Sequence, residues 1–165
     1  MASGTYAVVM SQQTIIANSE MVIIHTASGI TSRASFIRLL RAWCGQSGTT
    51  TSQQLGIQLA VQASAFGTYT ATTPAPTVAG GNVSGITGGT AGAAATAGTD
   101  SSGNAAGTKT PLYSDGFNNL NGWLWVPVPE ERIAVPSDTA IVLALIGTPT
   151  TLTNWSAGIV FEEMN

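Results

Sequence analysis

The chain has 165 residues, which is enough for one domain with a sizeable apolar core. Only 8% of its residues are charged, against roughly 25% in an ordinary soluble domain. The formal net charge is −3, and the sequence shows no basic patch of the kind that binding to nucleic acid requires. A surface so poor in charge relies on hydroxyl and amide groups, and it favours packing against copies of itself or a partner.

Short runs rich in β-branched and aromatic residues, separated by turn signals, predict an all-β chain. The clearest run is 55–63, where Leu, Ile and Val alternate with Gly, Gln and Ala, as in a half-buried strand. Eight to ten short strands at regular spacing are typical of an antiparallel sandwich or barrel. The main predicted strands are 6–10, 21–26, 55–63, 123–126, 133–135, 139–146 and 152–162.

The segment 32–44 fits two structures. One is an amphipathic helix with an apolar face and arginines beside it, and the other is a strand. We favour the strand, because the surrounding segments are all predicted to be β. As a strand, the segment would place Phe36, Leu40 and Ala42 on one face. The other face would carry Ile37, Leu39 and Trp43.

The stretch 121–138 holds two of the four Trp and three of the seven Pro, and it is a candidate contact region. The pattern predicts that 123–126 is a strand buried on both faces, or on one face with an interface on the other. Proline cannot donate to a β-ladder, so Pro127 and Pro129 place the end of this strand at a sheet edge. The Glu-Glu-Arg run at 130–132 is predicted to be a short solvated link. Its candidate partner-binding residues are Pro127, Pro129, Glu130 and Arg132.

The segment 71–107 differs in composition from the rest of the single domain, 1–165, into which it is inserted. It contains no aromatic residue, Leu or Met, and so little apolar surface cannot alone offset the entropy of ordering a long loop. Two interpretations remain open: a flexible surface insertion, and an extended arm that is ordered by a neighbouring subunit. The candidate partner-binding residues of the arm are Thr77, Val78, Val83 and Ile86.

The residue types that carry chemistry do not form a recognisable motif. His25 and Cys44 are the only residues of their types, which rules out an intrachain disulfide and favours structural roles for both. The paired acids at 130–131 and 162–163 are predicted to be solvated ends rather than a catalytic pair. Four Trp suit either a sugar-binding surface or an ordinary core or interface, and we favour the latter. We therefore predict no enzyme activity, no cofactor and no metal.

The sequence also bears on where the chain works. Its start has no basic region followed by an apolar run, so we expect no signal peptide. No apolar run approaches the length of a membrane span, so we expect no membrane partner and synthesis in a cytoplasm.

Three runs carry a resemblance to a known class of protein: AGTKT at 106–110, GFNNLNGWLWVPVPEE at 116–131 and LTNWSAG at 152–158. They resemble β-structured auxiliary proteins of tailed-bacteriophage heads, the decoration or cement proteins. The resemblance covers mainly the C-terminal third, and its motifs carry no catalytic residues.

The resemblance implies a jelly-roll-like sandwich, often trimeric, on the outside of an icosahedral shell. The expected partners are then the major capsid protein and other copies of the chain, and the expected location is the virion, after synthesis in the host bacterial cytoplasm. The role would be to stabilise contacts between capsomers. Two alternatives stay open: another phage component, such as a fibre tip or minor capsid protein, and a sugar-binding module or small glycan hydrolase.

Overall fold

In the computed structural model, the described residues are 4–26, 36–63, 69–72, 74–77, 95–99 and 107–164, and they form two antiparallel β-sheets. These residues contain no α-helix, and a single 3₁₀ turn spans Pro129–Glu131. The strands are β1 (Gly4–Gln13), β2 (Glu20–His25), β3 (Phe36–Gln46), β4 (Gln54–Gln62), β5 (Thr70–Thr72), β6 (Ala75–Pro76), β7 (Thr96–Thr99), β8 (Lys109–Asn118), β9 (Trp123–Trp125), β10 (Ala134–Val135), β11 (Ala140–Ile146) and β12 (Trp155–Met164).

The pairing of the strands is that of a jelly roll. Sheet A runs β6–β1–β12–β3, with β9 and β10 one after the other along the far edge of β3, and sheet B runs β5–β7–β2–β11–β4–β8. The main pairs are nested: β1 with β12, β2 with β11, β3 with β9 and β10, and β4 with β8. Such a folded-over antiparallel ribbon gives two Greek keys in two sheets. The predicted all-β, jelly-roll-like sandwich is confirmed.

The core lies between the inner faces of the two sheets. The last strand supplies Trp155, Ala157, Ile159 and Phe161 from one face, as its period-two pattern predicts, and all four are fully buried. Sheet B contributes alternate residues of β4 and β11 from the other side. The Trp155 ring meets Phe117 of β8 edge-on at 6.4 Å between centroids, which links the two sheets.

The segment 32–44 forms a strand where it is described, as favoured, but the predicted faces of Ala42 and Trp43 are wrong. Val160 of β12 pairs with Arg41, whereas the next residue, Phe161, pairs with Leu39, so Leu40 is the extra residue of a β-bulge. The bulge shifts the alternation by one residue. Ala42 therefore joins Leu39 in the core, and Trp43 turns to the outer face of sheet A.

Strand β9 is buried on one face only, which excludes the first of the two predicted alternatives, burial on both faces, and agrees with the second in its buried face. Trp123 and Trp125 lie in the core, while the side chain between them, Leu124, is 64% exposed. β9 pairs with β3 and with no other described strand, and the prolines at 127 and 129 follow its end at this edge, as predicted. Gly122 precedes β9 with φ +69°, and a side chain there would lie 3.0 Å from the carbonyl oxygen of Cys44.

The insertion between β4 and β8 crosses to the opposite side of the sandwich. There β6 pairs with β1 of sheet A, and β7, flanked by β5, pairs with β2 of sheet B. The insertion thus covers the two sheet edges that β1 and β2 would otherwise expose. The described parts of 71–107 are consequently built into the chain's own sheets, which differs from an arm that only a neighbour orders.

Glu163 is buried, so the prediction that both acids at 162–163 are solvated is wrong. β12 is paired on both sides as far as residue 163, and the alternation turns Glu163 inward. Its Oε1 accepts a hydrogen bond of 3.0 Å from the backbone N–H of Ala95, which precedes β7. The Tyr6 hydroxyl has a raised pKa, first because of desolvation and then because of the nearby Glu163 charge.

Candidate functional site

A row of side chains crosses the outer face of sheet A. Val9 of β1 pairs with Gly158 of β12, Gly158 pairs with Trp43 of β3, and Trp43 pairs with Leu124 of β9. Val9 is 47% exposed and Leu124 is 64% exposed, while Trp43 is half-buried. We call these four residues the outer row. Because they lie on paired strands at one register, they form a continuous apolar surface rather than scattered exposed side chains.

The indole of Trp43 occupies the space that the missing side chain of Gly158 leaves. A Cβ placed on Gly158 would lie only 2.2 Å from Cζ2 of the indole, so the ring rests directly against the backbone of β12. The guanidinium of Arg41 lies over the same ring, with its Cζ 5.0 Å from the ring centroid. This cation–π contact places a positive charge on the exposed side of the apolar row.

A shallow cavity of about 470 Å³ opens beside the outer row. Gly45 and Gly122 are part of its lining and approach each other closely, since a Cβ on Gly45 would lie 3.7 Å from the Gly122 Cα. Its volume falls in the range of small-ligand pockets, which is roughly 300–1,000 Å³. Apolar and uncharged polar side chains surround it, among them Trp43, Leu120, Leu124, Asn121 and Ser156.

The segment 126–132, which we call the rim loop, follows β9 at the same edge of sheet A. Val126 and Val128 are 63% and 54% exposed, so two apolar side chains stand in solvent. The 3₁₀ turn then presents Glu130 and Glu131, which are both exposed. The loop ends at the half-buried Arg132, whose Nε has no hydrogen-bond partner among the described atoms. The prediction of a solvated link is correct for the two acids.

The predicted partner-binding residues divide into two groups. Pro127, Pro129, Glu130 and Arg132 all lie on the rim loop, beside the outer row. Thr77 lies far along the chain and contacts β1, because its backbone N–H and its hydroxyl both donate to the carbonyl oxygen of Thr5, at 2.9 and 3.2 Å. Val78, Val83 and Ile86 lie outside the described residues.

A cluster of three aromatic side chains connects the edge of sheet B at β8 to the edge of sheet A at β9. The Tyr113 ring of β8 lies 6.3 Å from Trp123 and 5.9 Å from Trp125 of β9, between centroids. Asp115 Oδ2 accepts hydrogen bonds of 3.3 Å from the Trp123 indole N–H and from the Tyr113 hydroxyl. The pKa of Tyr113 is raised, first by desolvation and then by Asp115. This arrangement ties β9 to β8 across the gap between the sheets.

The other side chains that could take part in chemistry, Cys44, His25 and Glu20, are built into the strands of the fold. Cys44 is buried, and burial raises the pKa of its thiol above the ordinary value. His25 is half-buried in β2, paired in register with Ala140 and Thr96. Glu20 is buried and forms an ion pair with Lys109. Within the described ranges, no three His, Cys, Asp or Glu side chains come together as metal ligands would.

Comparison with protein-family models, with curated proteins and with solved structures found no match. The assignment of a site therefore rests on the geometry of this chain. Among the described residues there is no helix of the length and apolar character needed to cross a membrane.

The sequence predicted the rim loop but not the outer row. Its members are distant in sequence, and only the pairing of four strands brings them together. The alternation also predicts the wrong face for Trp43, because the bulge at Leu40 has no sequence signal of its own. The one available hint was the spacing of Arg41 and Trp43, which is that of two residues on the same face of a strand.

Proposed function

We propose that this chain is a non-enzymatic structural protein of a bacteriophage virion. It binds the outside of the capsid, stabilises contacts between capsomers, and acts as a homotrimer whose partner is the major capsid protein. The observation that carries the proposal is the outer row: an exposed apolar surface, with a Trp–Arg pair at its centre, on a rigid sheet. Exposed apolar patches rimmed by polar groups mark protein contact sites on soluble proteins.

The properties of the face suit a protein partner. Trp and Arg are enriched in protein interfaces and are the residues that most often dominate their binding energy. The rim loop adds two exposed valines next to the row, so the apolar surface continues to the edge of the sheet. The strands that carry the row are paired with one another across sheet A, so its residues are held in one continuous hydrogen-bonded sheet.

The test is co-sedimentation of the purified chain with heads that lack it. We expect saturable binding that weakens when Leu124 is replaced by Asp, since a charge in the row would have to be desolvated on binding. Thr70→Asp is the matched control, because Thr70 is exposed on β5 at the far edge of sheet B. Equal binding of both variants would exclude the outer row as the contact surface.

A carbohydrate-binding module is the second candidate, and the cavity beside Trp43 is the observation that favours it. Sugars stack on exposed aromatic faces, and Asn121 and Ser156 add polar groups to the lining. The Trp43 ring is in contact with Gly158 and with the Arg41 guanidinium, which limits the area left for stacking. Binding on a glycan array that is lost in Trp43→Ala, without binding to heads, would favour this candidate.

A fibre tip or minor capsid protein is a further alternative. Only a few copies of this chain per virion, at one vertex or at the tail, would indicate it.

A further inference from the structure

We propose that copies of this chain associate head to tail, with the rim loop of one copy docked on the outer row of the next. The proposal rests on the self-association included in the proposed function, and it does not depend on binding to a shell. It assigns a surface and an occupant to each side of the interface: an apolar platform with a positive charge, and an apolar loop with two negative charges.

The platform side is positive. The Arg41 guanidinium is exposed above the Trp43 ring, and no carboxylate among the described residues forms an ion pair with it. Arg38 lies on the same strand but pairs in register with Glu162 of β12, whereas Arg41 pairs with Val160, so Arg41 carries the positive charge of the platform. Lys109 belongs to another part of the surface, because it pairs with Glu20 on sheet B. The described arginines therefore all lie on β3 or on the loop that borders it.

The loop side is acidic and apolar at once. Glu130 and Glu131 are exposed in the first turn of the 3₁₀ segment, and neither forms an ion pair among the described residues. The exposed side chains of Val126 and Val128 precede them on the same loop. An apolar pair followed by two carboxylates is complementary to an apolar row that carries a guanidinium.

A second copy of the chain is the occupant that the charges favour. In a chain with only 8% charged residues, exposed charges of opposite sign stand beside the two exposed apolar surfaces of one sheet. In the proposed arrangement each copy offers its loop to one neighbour and its platform to the other, so the contact is heterologous, and heterologous contacts close into rings when the rotation permits. A ring of three copies joined in this way is the homotrimer of the proposed function.

Charge reversal with rescue tests the interface. Arg41→Glu, and separately the double change Glu130→Arg with Glu131→Arg, places like charges against each other. We expect at least a tenfold weaker association in sedimentation velocity at micromolar concentration, which is within the range of measured couplings for close interfacial charges. The triple variant combines the reversals and should regain association. Thr70→Glu, on the far edge of sheet B, should associate like the parent chain.

Circular dichroism and thermal melting check that each variant is folded. We expect all of them to fold, because the substituted side chains are exposed. The proposal is overturned if the parent chain sediments as a monomer, if the single reversals associate normally, or if the triple variant remains dissociated while folded. Binding to heads is measured on the same proteins. A parent chain that binds heads as a monomer would overturn the ring and leave the capsid function standing. A parent chain that forms rings but does not bind heads would support the head-to-tail contact and overturn the capsid function.

Discussion

Replacing Trp125 by Ala, with Leu124→Ala as its neighbour on the same strand, tests the placement of β9. The two side chains point to opposite faces: Trp125 is 8% exposed and Leu124 is 64% exposed. The first substitution removes an indole from the core and from its contact with Tyr113, at 5.9 Å between ring centroids. The second removes a side chain that stands mostly in solvent.

The expected costs differ severalfold. A buried Trp→Ala change lowers the free energy of unfolding by about 3–5 kcal/mol. Of this, the lost aromatic pair accounts for roughly 0.5–1.5 kcal/mol. For a domain of this size, the melting temperature should fall by about 10 °C. Leu124→Ala should change the free energy of unfolding by less than about 0.5 kcal/mol, as exposed substitutions usually do.

Urea denaturation and thermal melting, followed by circular dichroism, measure both costs. Protein concentrations must be matched, because self-association raises apparent stability by mass action. A loss of less than about 1 kcal/mol for Trp125→Ala would mean that this indole is not a core residue. Equal losses for the two variants would mean that both faces of β9 are buried, contrary to the structure.

Three further substitutions test separate contacts. Gly158→Ala should displace the indole that rests on it, change the fluorescence of that indole and cost about 1–3 kcal/mol. Gly116→Ala should be tolerated, because a Cβ there would lie 3.9 Å from the Leu55 carbonyl oxygen, an ordinary van der Waals contact. Glu163→Met should cost about 1–3 kcal/mol in urea denaturation by leaving a buried N–H without its acceptor, and Glu162→Met should cost far less. Burial raises the pKa of the Cys44 thiol, so the unfolded thiol ionises at a lower pH than the folded one. Its contribution to stability is therefore fully present below the thiol's ordinary pKa of 9.0 and declines as the pH rises above that value. The stability difference between the parent chain and Cys44→Ala should therefore shift against the parent above that pH, and a constant difference would contradict the burial.

The sequence predicted the fold where burial of one face imposes a simple period. In β12, alternate residues from Trp155 to Phe161 all enter the core, and β4 likewise buries Leu55, Ile57 and Leu59. A strand with one face in the core must alternate, so its pattern is visible without knowledge of its partners. For the segment that became β3, periodicity left helix and strand open, and the β character of the surrounding segments favoured the strand.

The pattern failed where pairing between distant strands decides the outcome. The bulge at Leu40 depends on how β3 fits β12, and it turned Trp43 outward. The space that Trp43 occupies exists because residue 158, on another strand, is a glycine. Ala97, on β7, is buried although it is small, so a count of large apolar residues could not show that the insertion joins the fold. Long-range pairing of this kind is not encoded in local composition.

Immunogold labelling of purified virions with an antibody to this chain measures the central claim most directly. The account predicts many copies distributed over the surface of the head, and loss of that label when heads are assembled with the Leu124→Asp chain. Label confined to the tail or to one vertex, or virions without the protein, would contradict a role in stabilising the capsid.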